Sequence, residues 1–333
     1  MPLVDSEKNL LDSELNHQLG QKFSTYKGLI LDKSGFQWTL WRLDALEAWW
    51  RFFEETIDTP MGRKLANAAC DEEEFLISSG ELLERGFFKK KKMQKLIMKR
   101  WKLHGWGLPF FSNCGADDTI YTPIAAGILQ ANMENIESTR YRMLWEEKGP
   151  GSFILDLENS NLPIQPPKPV AENILDTGDE FTMDIEKGWR IDGQRYCLLP
   201  LGLFTRLESF CVGFHCSIDD DERKSWSGLD EGALAISIAM KRLYIAGEEI
   251  FLAIDREGWI DSANNLLSVR GMGHVQDVTL IDGNGGVGID FFETPSPFVV
   301  GLLAGAWTRC EGRPVRVDFE GKTIKLFSRH ELA

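Results

Sequence analysis

Val275 to Phe327 reads VQDVTLIDGNGGVGIDFFETPSPFVVGLLAGAWTRCEGRPVRVDFEGKTIKLF, and the order of its signals decides the fold class. Val275–Leu280 and Val287–Phe292 are short strand-like runs around Asp282-Gly283-Asn284-Gly285-Gly286, the composition of a tight hairpin turn. Phe298 to Cys310 predicts a helix of small residues. Val315–Phe319 and Thr323–Phe327 then predict two closing strands around Glu320-Gly321. Hairpins interleaved with helical sequence predict α+β: a helical layer packed on an antiparallel sheet.

The same order of signals occurs twice. Lys27-Gly28-Leu29-Ile30-Leu31-Asp32 faces Lys187-Gly188-Trp189-Arg190-Ile191-Asp192 at an offset of 160. Leu46-Glu47-Ala48-Trp49 faces Leu207-Glu208-Ser209-Phe210, and Ile57-Asp58 faces Ile218-Asp219, both at 161. Gly105-Trp106-Gly107 faces Gly271-Met272-Gly273 at 166. Gly127-Ile128-Leu129 faces Gly301-Leu302-Leu303, and Glu137 faces Glu311, both at 174. The matches keep their order and the offset only grows, as insertions in a second copy would make it. In the first copy a strand-like start, Gly28 to Gln37, leads into an amphipathic helix marked by Leu43, Leu46, Trp50 and Phe53.

Between the copies, Pro163, Pro166, Pro167 and Pro169 exclude helix and central strand and predict an extended linker. The expected organisation is an extension over residues 1–25, a first domain over 26–158, a linker over 159–184 and a second domain over 185–333. The two copies are expected to pack as an intramolecular pseudo-dimer. Leu10, Leu11, Leu15 and Leu19 suit a short amphipathic helix in the extension.

Phe298-Val299-Val300-Gly301-Leu302-Leu303-Ala304-Gly305, followed by Glu311-Gly312-Arg313-Pro314-Val315-Arg316-Val317, resembles the end of the 4-vinyl reductase domain, as does the Gly-x-Gly after a helix. The resemblance covers about 140 residues of each half. It implies an α+β module with the general fold of vesicle-tethering TRAPP subunits and of the sensor domains of some aromatic-responsive regulators. It also implies a pocket for small hydrophobic molecules between helices and sheet. Many members bind zinc through a cysteine cluster near the C-terminus. Here Val317 to Phe327 holds no cysteine and Cys310 stands alone before it, so no metal is expected.

Composition narrows the partners. The chain has 333 residues, 37 basic and 51 acidic side chains and a net charge of −14, which argues against a general nucleic-acid binder. Six cysteines in so long a chain are not a disulfide framework. The polar, acidic N-terminus does not read as a targeting peptide, and the apolar run Pro297–Trp307 is too short to span a bilayer. A cytoplasmic protein with reduced thiols is expected.

Catalytic signatures are weak. Gly283-Asn284-Gly285-Gly286-Val287-Gly288 satisfies G-x-G-x-x-G, but strand-like sequence ending in Pro295 follows where a helix is required, so a hairpin turn is expected instead. Cys211, His215 and Cys216 offer metal-ligand types without a second pair nearby. No nucleophile elbow, zincin motif or Walker loop occurs, and no catalytic residue or cofactor is expected. His104 and His274 flank the two Gly-x-Gly features. With Trp49, Trp50, Phe53, Trp106, Phe210 and Met272 they are the candidate lining of a hydrophobic-ligand site, ordinary core being the alternative.

Arg85 to Lys102, RGFFKKKKMQKLIMKRWK, carries nine basic residues and no acid. Interleaved Phe87, Phe88, Met93, Leu96, Ile97 and Trp101 predict a basic amphipathic helix. Lys89, Lys90, Lys91, Lys92, Lys95, Lys99 and Arg100 are its candidate contacts to a protein partner, an anionic membrane or nucleic acid. The alternative is a solvated face. Three functions stay open: a non-enzymatic sensor or carrier of a small hydrophobic ligand, an adaptor subunit using the basic helix, and a tetrapyrrole-related reductase.

Overall fold

The computed structural model describes residues 11–81, 89–163, 167–170, 173–175 and 178–330. Asp12 caps the first helix, α1 (Ser13–Lys22), by accepting from the Leu15 amide at 3.0 Å. Leu15 and Leu19 are its buried residues, while Leu10 lies outside the described residues. Three short strands follow: β1 (Phe23–Tyr26), β2 (Leu29–Asp32) and β3 (Gln37–Arg42). The strand-like start is therefore a meander. Asp32 makes the turn between β2 and β3 by accepting from the Ser34 and Phe36 amides.

Helix α2 (Leu43–Ile57) buries Leu46, Trp49, Trp50, Phe53 and Ile57, one helical face, and ends at Asp58 in the left-handed region. Next come α3 (Gly62–Leu76), α4 (Lys89–His104), β4 (Leu108–Phe110), β5 (Gly115–Asp117), α5 (Thr122–Glu137), β6 (Tyr141–Gly149) and β7 (Ser152–Asn159). The linker contributes β8 (Asp179–Glu180), which pairs with β1.

The second half begins with β9 (Arg190–Ile191), β10 (Gln194–Pro200) and α6 (Leu201–Ser209). A long connection carries α7 (Asp220–Lys224) and β11 (Trp226–Ser227). Then follow α8 (Glu231–Ala246), α9 (Arg256–Ser268), β12 (Val275–Leu280), β13 (Val287–Phe291), α10 (Pro297–Glu311), β14 (Val315–Glu320) and β15 (Thr323–Ser328).

The architecture is mixed α+β. A four-stranded antiparallel sheet has the order β4-β5-β7-β6, and a five-stranded sheet has the order β11-β14-β15-β13-β12. A six-stranded sheet, β8-β1-β2-β3-β10-β9, takes strands from both halves, with β3 antiparallel to β10. Helices α5 and α10 are buried on nearly every side, and each packs on a neighbour, α3 and α8 respectively. Gly127 and Gly301 permit this closeness, since a Cβ there would collide with the Ala66 and Ser237 carbonyls. Among the described residues no helix is long and apolar enough to cross a membrane.

Candidate functional site

The candidate ligand-lining residues fall into separate places. Trp49, Trp50 and Phe53 lie in the core, stacked or tilted against one another at 5.2–6.1 Å between ring centres. Trp49 also meets Trp41, Phe204 and Phe298, and so joins aromatic rings from both halves. These rings fill the space between them with one another. Phe210 is elsewhere, half-buried at the C-terminal end of α6, where its carbonyl accepts from Lys64.

His104 and Trp106 belong to a buried polar knot at the end of α4. The His104 ring stacks on Trp38 and on Trp106, each at 4.6 Å, and Phe23 meets it edge-on. Its Nδ1 lies 2.7 Å from the Arg100 carbonyl, which fixes the proton on that nitrogen. Nε2 is buried without a partner among the described residues. Arg100 binds Glu73 at 2.8–3.3 Å, Glu73 accepts from Asn132 at 2.9 Å, and Asn132 accepts from Trp101 at 2.8 Å. Arg100 is thus a correction to the basic-face expectation. It lies on the buried side of α4 because Glu73, itself held by Asn132, gives its charge a partner there.

Burial, followed by the Arg100 charge, holds His104 well below its ordinary value of 6.5, so the ring is neutral. The unfolded chain takes up a proton that the folded chain refuses. This contribution to stability is complete above pH 6.5 and is lost as pH falls below it. Glu208, raised to about 7 by burial and by Asp230, acts in the opposite direction. The comparison with His104→Phe isolates the histidine. The wild type is expected to lose stability relative to the variant below pH 6.5, by up to about 1.4 kcal/mol per pH unit, in urea unfolding at stepped pH.

Met272 and His274 come together at a junction between halves. Met272 bridges to Leu29, and Gly273 donates to the Gly28 carbonyl at 3.1 Å. Lys27 sits 4.2 Å from the centre of the Phe292 ring. Gln37, Pro295 and Ser296 complete a cleft of about 30 Å3, room for a water. At the other Gly-x-Gly, Trp189 covers the turn and donates to the Lys102 carbonyl at 2.8 Å. Arg195 pairs with Asp118 beside it.

The basic segment forms α4 as the hydrophobic spacing predicts, and its residues 85–88 lie outside the described residues. Met93, Ile97, Arg100, Trp101 and His104 face inward. Lys91, Lys95, Lys99 and Lys102 are exposed along the opposite side with Met98, a stripe about 16 Å long at helical rise. None of these four lysines pairs with a carboxylate among the described residues. Lys89 and Lys92 are exposed beside the stripe, and Lys90 pairs with Glu137 at 2.5 Å.

The remaining motifs are structural. Asp282 accepts from the Asn284 and Gly286 amides, and the Gly285 carbonyl accepts from Trp307, so the glycine-rich string is a closed hairpin turn. Burial pushes the Cys211 thiol to about 11 and Cys216 to about 12, while His215 points to solvent. Among the described residues no group of three or more His, Cys, Asp or Glu side chains is placed to hold a metal ion. Two open clefts, of 390 and 670 Å3, lie at the outer edge of the second half and share Arg316, Asp318 and His330. Their linings are polar and far from the expected hydrophobic character. Comparison with protein families, with curated proteins and with solved structures returns no match for this chain.

Proposed function

We propose that the chain is a non-enzymatic docking module, built from two copies of one α+β unit of the 4-vinyl reductase type and engaging an anionic partner surface through α4. The duplication is supported by the sheets, since β4-β5-β7-β6 and β12-β13-β15-β14 share one order. It is supported also by register. Helices α2 and α6 begin at Leu43 and Leu201, an offset of 158, and Leu40 pairs with Leu198 at the same offset. Thr39 pairs with Leu199 and Trp41 with Cys197, which are equivalent pairs about a twofold axis at Leu40 and Leu198. Each Gly-x-Gly turn reaches across this axis: Trp106 donates to the Leu198 carbonyl at 2.7 Å, and Leu40 donates to the Arg270 carbonyl at 3.0 Å. In this reading the offset at the first helices is 158, three less than the sequence match. An amphipathic pattern slipped by nearly one turn resembles itself.

The observation that carries the docking reading is the exposed stripe Lys91, Lys95, Lys99 and Lys102, without a carboxylate partner among the described residues, on a protein whose charge is −14. Charges more than about 8 Å away are screened at physiological ionic strength, so a partner meets the local stripe and not the net charge. The test is fluorescence anisotropy with a labelled oligoglutamate peptide, with phosphatidylserine vesicles as a parallel arm. Replacing the four lysines by glutamate is expected to weaken binding at least about tenfold, and high salt to weaken the wild type. Equal affinities for the two proteins overturn the reading.

A carrier of a small hydrophobic ligand is the second reading, favoured by the Met272 and His274 cleft. It requires that cleft to open from about 30 Å3 to roughly 300 Å3. Native mass spectrometry of protein from its own host, finding a stoichiometric bound molecule, supports the carrier; a clean apo mass counts against it.

A further inference from the structure

We infer that the outer edge of β6 is a self-association site, at which two copies pair antiparallel about a twofold axis at Leu144.

The edge is open for a reason written in the chain. In the second half the corresponding strand, β14, is covered by β11, whose Trp226 and Ser227 pair with Val317 and Asp318. That cover comes from the long connection between α6 and α8, residues 210–230. The first half connects α2 to α3 through residues 58–61 only, which is too short to supply a strand. Among the described residues β6 therefore ends its sheet uncovered.

Hydrogen bonds show which backbone groups face outward. Ser160 donates to the Arg140 carbonyl at 2.8 Å, so even positions of this run face β7. Leu155, opposite Trp145, donates to Cys114 at 2.7 Å, away from β6. The odd positions Tyr141, Met143 and Trp145 thus turn their backbone groups to the free edge. Tyr141 is held by Glu134 and Gln130, and the Met143 carbonyl accepts from Arg63. Those of Trp145 find no such side-chain partner among the described residues. An edge strand left this way is a template for another chain.

The side chains select the partner and register. Arg142, Leu144 and Glu146 share the exposed face, with Leu144 60% exposed. Placing Leu144 opposite Leu144 of a second copy puts Arg142 opposite Glu146 twice over. It also sets Met143 against Trp145 at the hydrogen-bonding positions, with Arg63 swinging away from the Met143 carbonyl. A register centred on Trp145 instead sets Arg142 against Lys148 and Leu144 against Glu146, both unfavourable across strands. Opposite charges and a shared aliphatic contact favour a second copy of this chain over a foreign strand.

Sedimentation equilibrium of the full chain tests this. The wild type is expected to form a reversible dimer. Arg142→Glu and Glu146→Arg alone are each expected to weaken it at least about tenfold, because attraction becomes repulsion at both symmetric pairs. The double variant, and an equimolar mixture of the two single variants, are expected to associate as the wild type does. Both positions are exposed, and unchanged circular dichroism confirms that the variants fold. A monomeric wild type, a dimer indifferent to both substitutions, or a loss that neither the double variant nor the mixture rescues overturns the inference.

Discussion

Cutting Trp49 back to alanine is expected to lower the unfolding free energy by about 3–5 kcal/mol, the range for a large aromatic in a packed core. Both halves should then unfold in one transition at a lower urea midpoint. Trp49 is fully buried, stacks on Phe53 at 5.4 Å, and meets Phe204 and Phe298 at 5.5 and 5.1 Å. Its indole nitrogen also reaches the Ile236 carbonyl at 3.5 Å. The hole left by alanine opens to α2, α6 and α10 together, so neither half can close it alone. Urea unfolding followed by tryptophan fluorescence and by circular dichroism should give coincident curves. Two separated transitions, with only the first half shifted, would contradict a shared core.

The second large effect concerns the polar knot. Arg100→Met is expected to cost about 3–5 kcal/mol, because it leaves the Glu73 carboxylate buried without its cation. Arg100 and Glu73 side chains are 3% and 2% exposed, so solvent cannot repair the loss. Asn132 still donates to Glu73, but one neutral amide does not replace a two-pronged guanidinium. Adding Glu73→Gln in the same chain removes the stranded charge and should return a substantial part of the stability. A double variant as unstable as the single would mean that the Arg100 stem packing, and not its charge, carries the cost. Calorimetry of the wild type, single and double variants separates the two.

Much of the second half was legible because its boundaries carry strong chemistry. Pro297 opens α10, Gly312 closes it in the left-handed region, and the alternation of Val315, Val317 and Phe319 sets β14. The predicted hairpin strands agree with β12 and β13 to within one residue. Less was legible near the first helices. Ile57 ends α2, whereas Ile218 lies in the connection before α7, so that match joined unlike places. Strand β11 is two residues within a polar stretch, and its pairing with β14 is a tertiary event with no local pattern.

The site shows the same division. The basic run was plain, yet the inward turn of Arg100 was hidden among nine cations of similar appearance. The helical spacing of Met93, Ile97, Arg100, Trp101 and His104 was the signal that could have found it. The meaning of the aromatic residues was not legible either, since a ring that lines a pocket and a ring that fills a core read alike in sequence. Only the packing of Trp49 against Phe204 and Phe298 distinguishes them.

The strand pair β3 and β10 joins the two halves in one sheet. The most direct measurement is to place a protease site in the linker between Pro167 and Pro169, cleave the folded protein and run it by size-exclusion chromatography with light scattering. Both fragments are expected to travel together, with the elution and mass of the uncleaved protein. They should separate only in denaturant, because Trp106 and Arg270 each bond to the other half and β3 keeps its partner β10. Two folded fragments eluting apart under native conditions would contradict it.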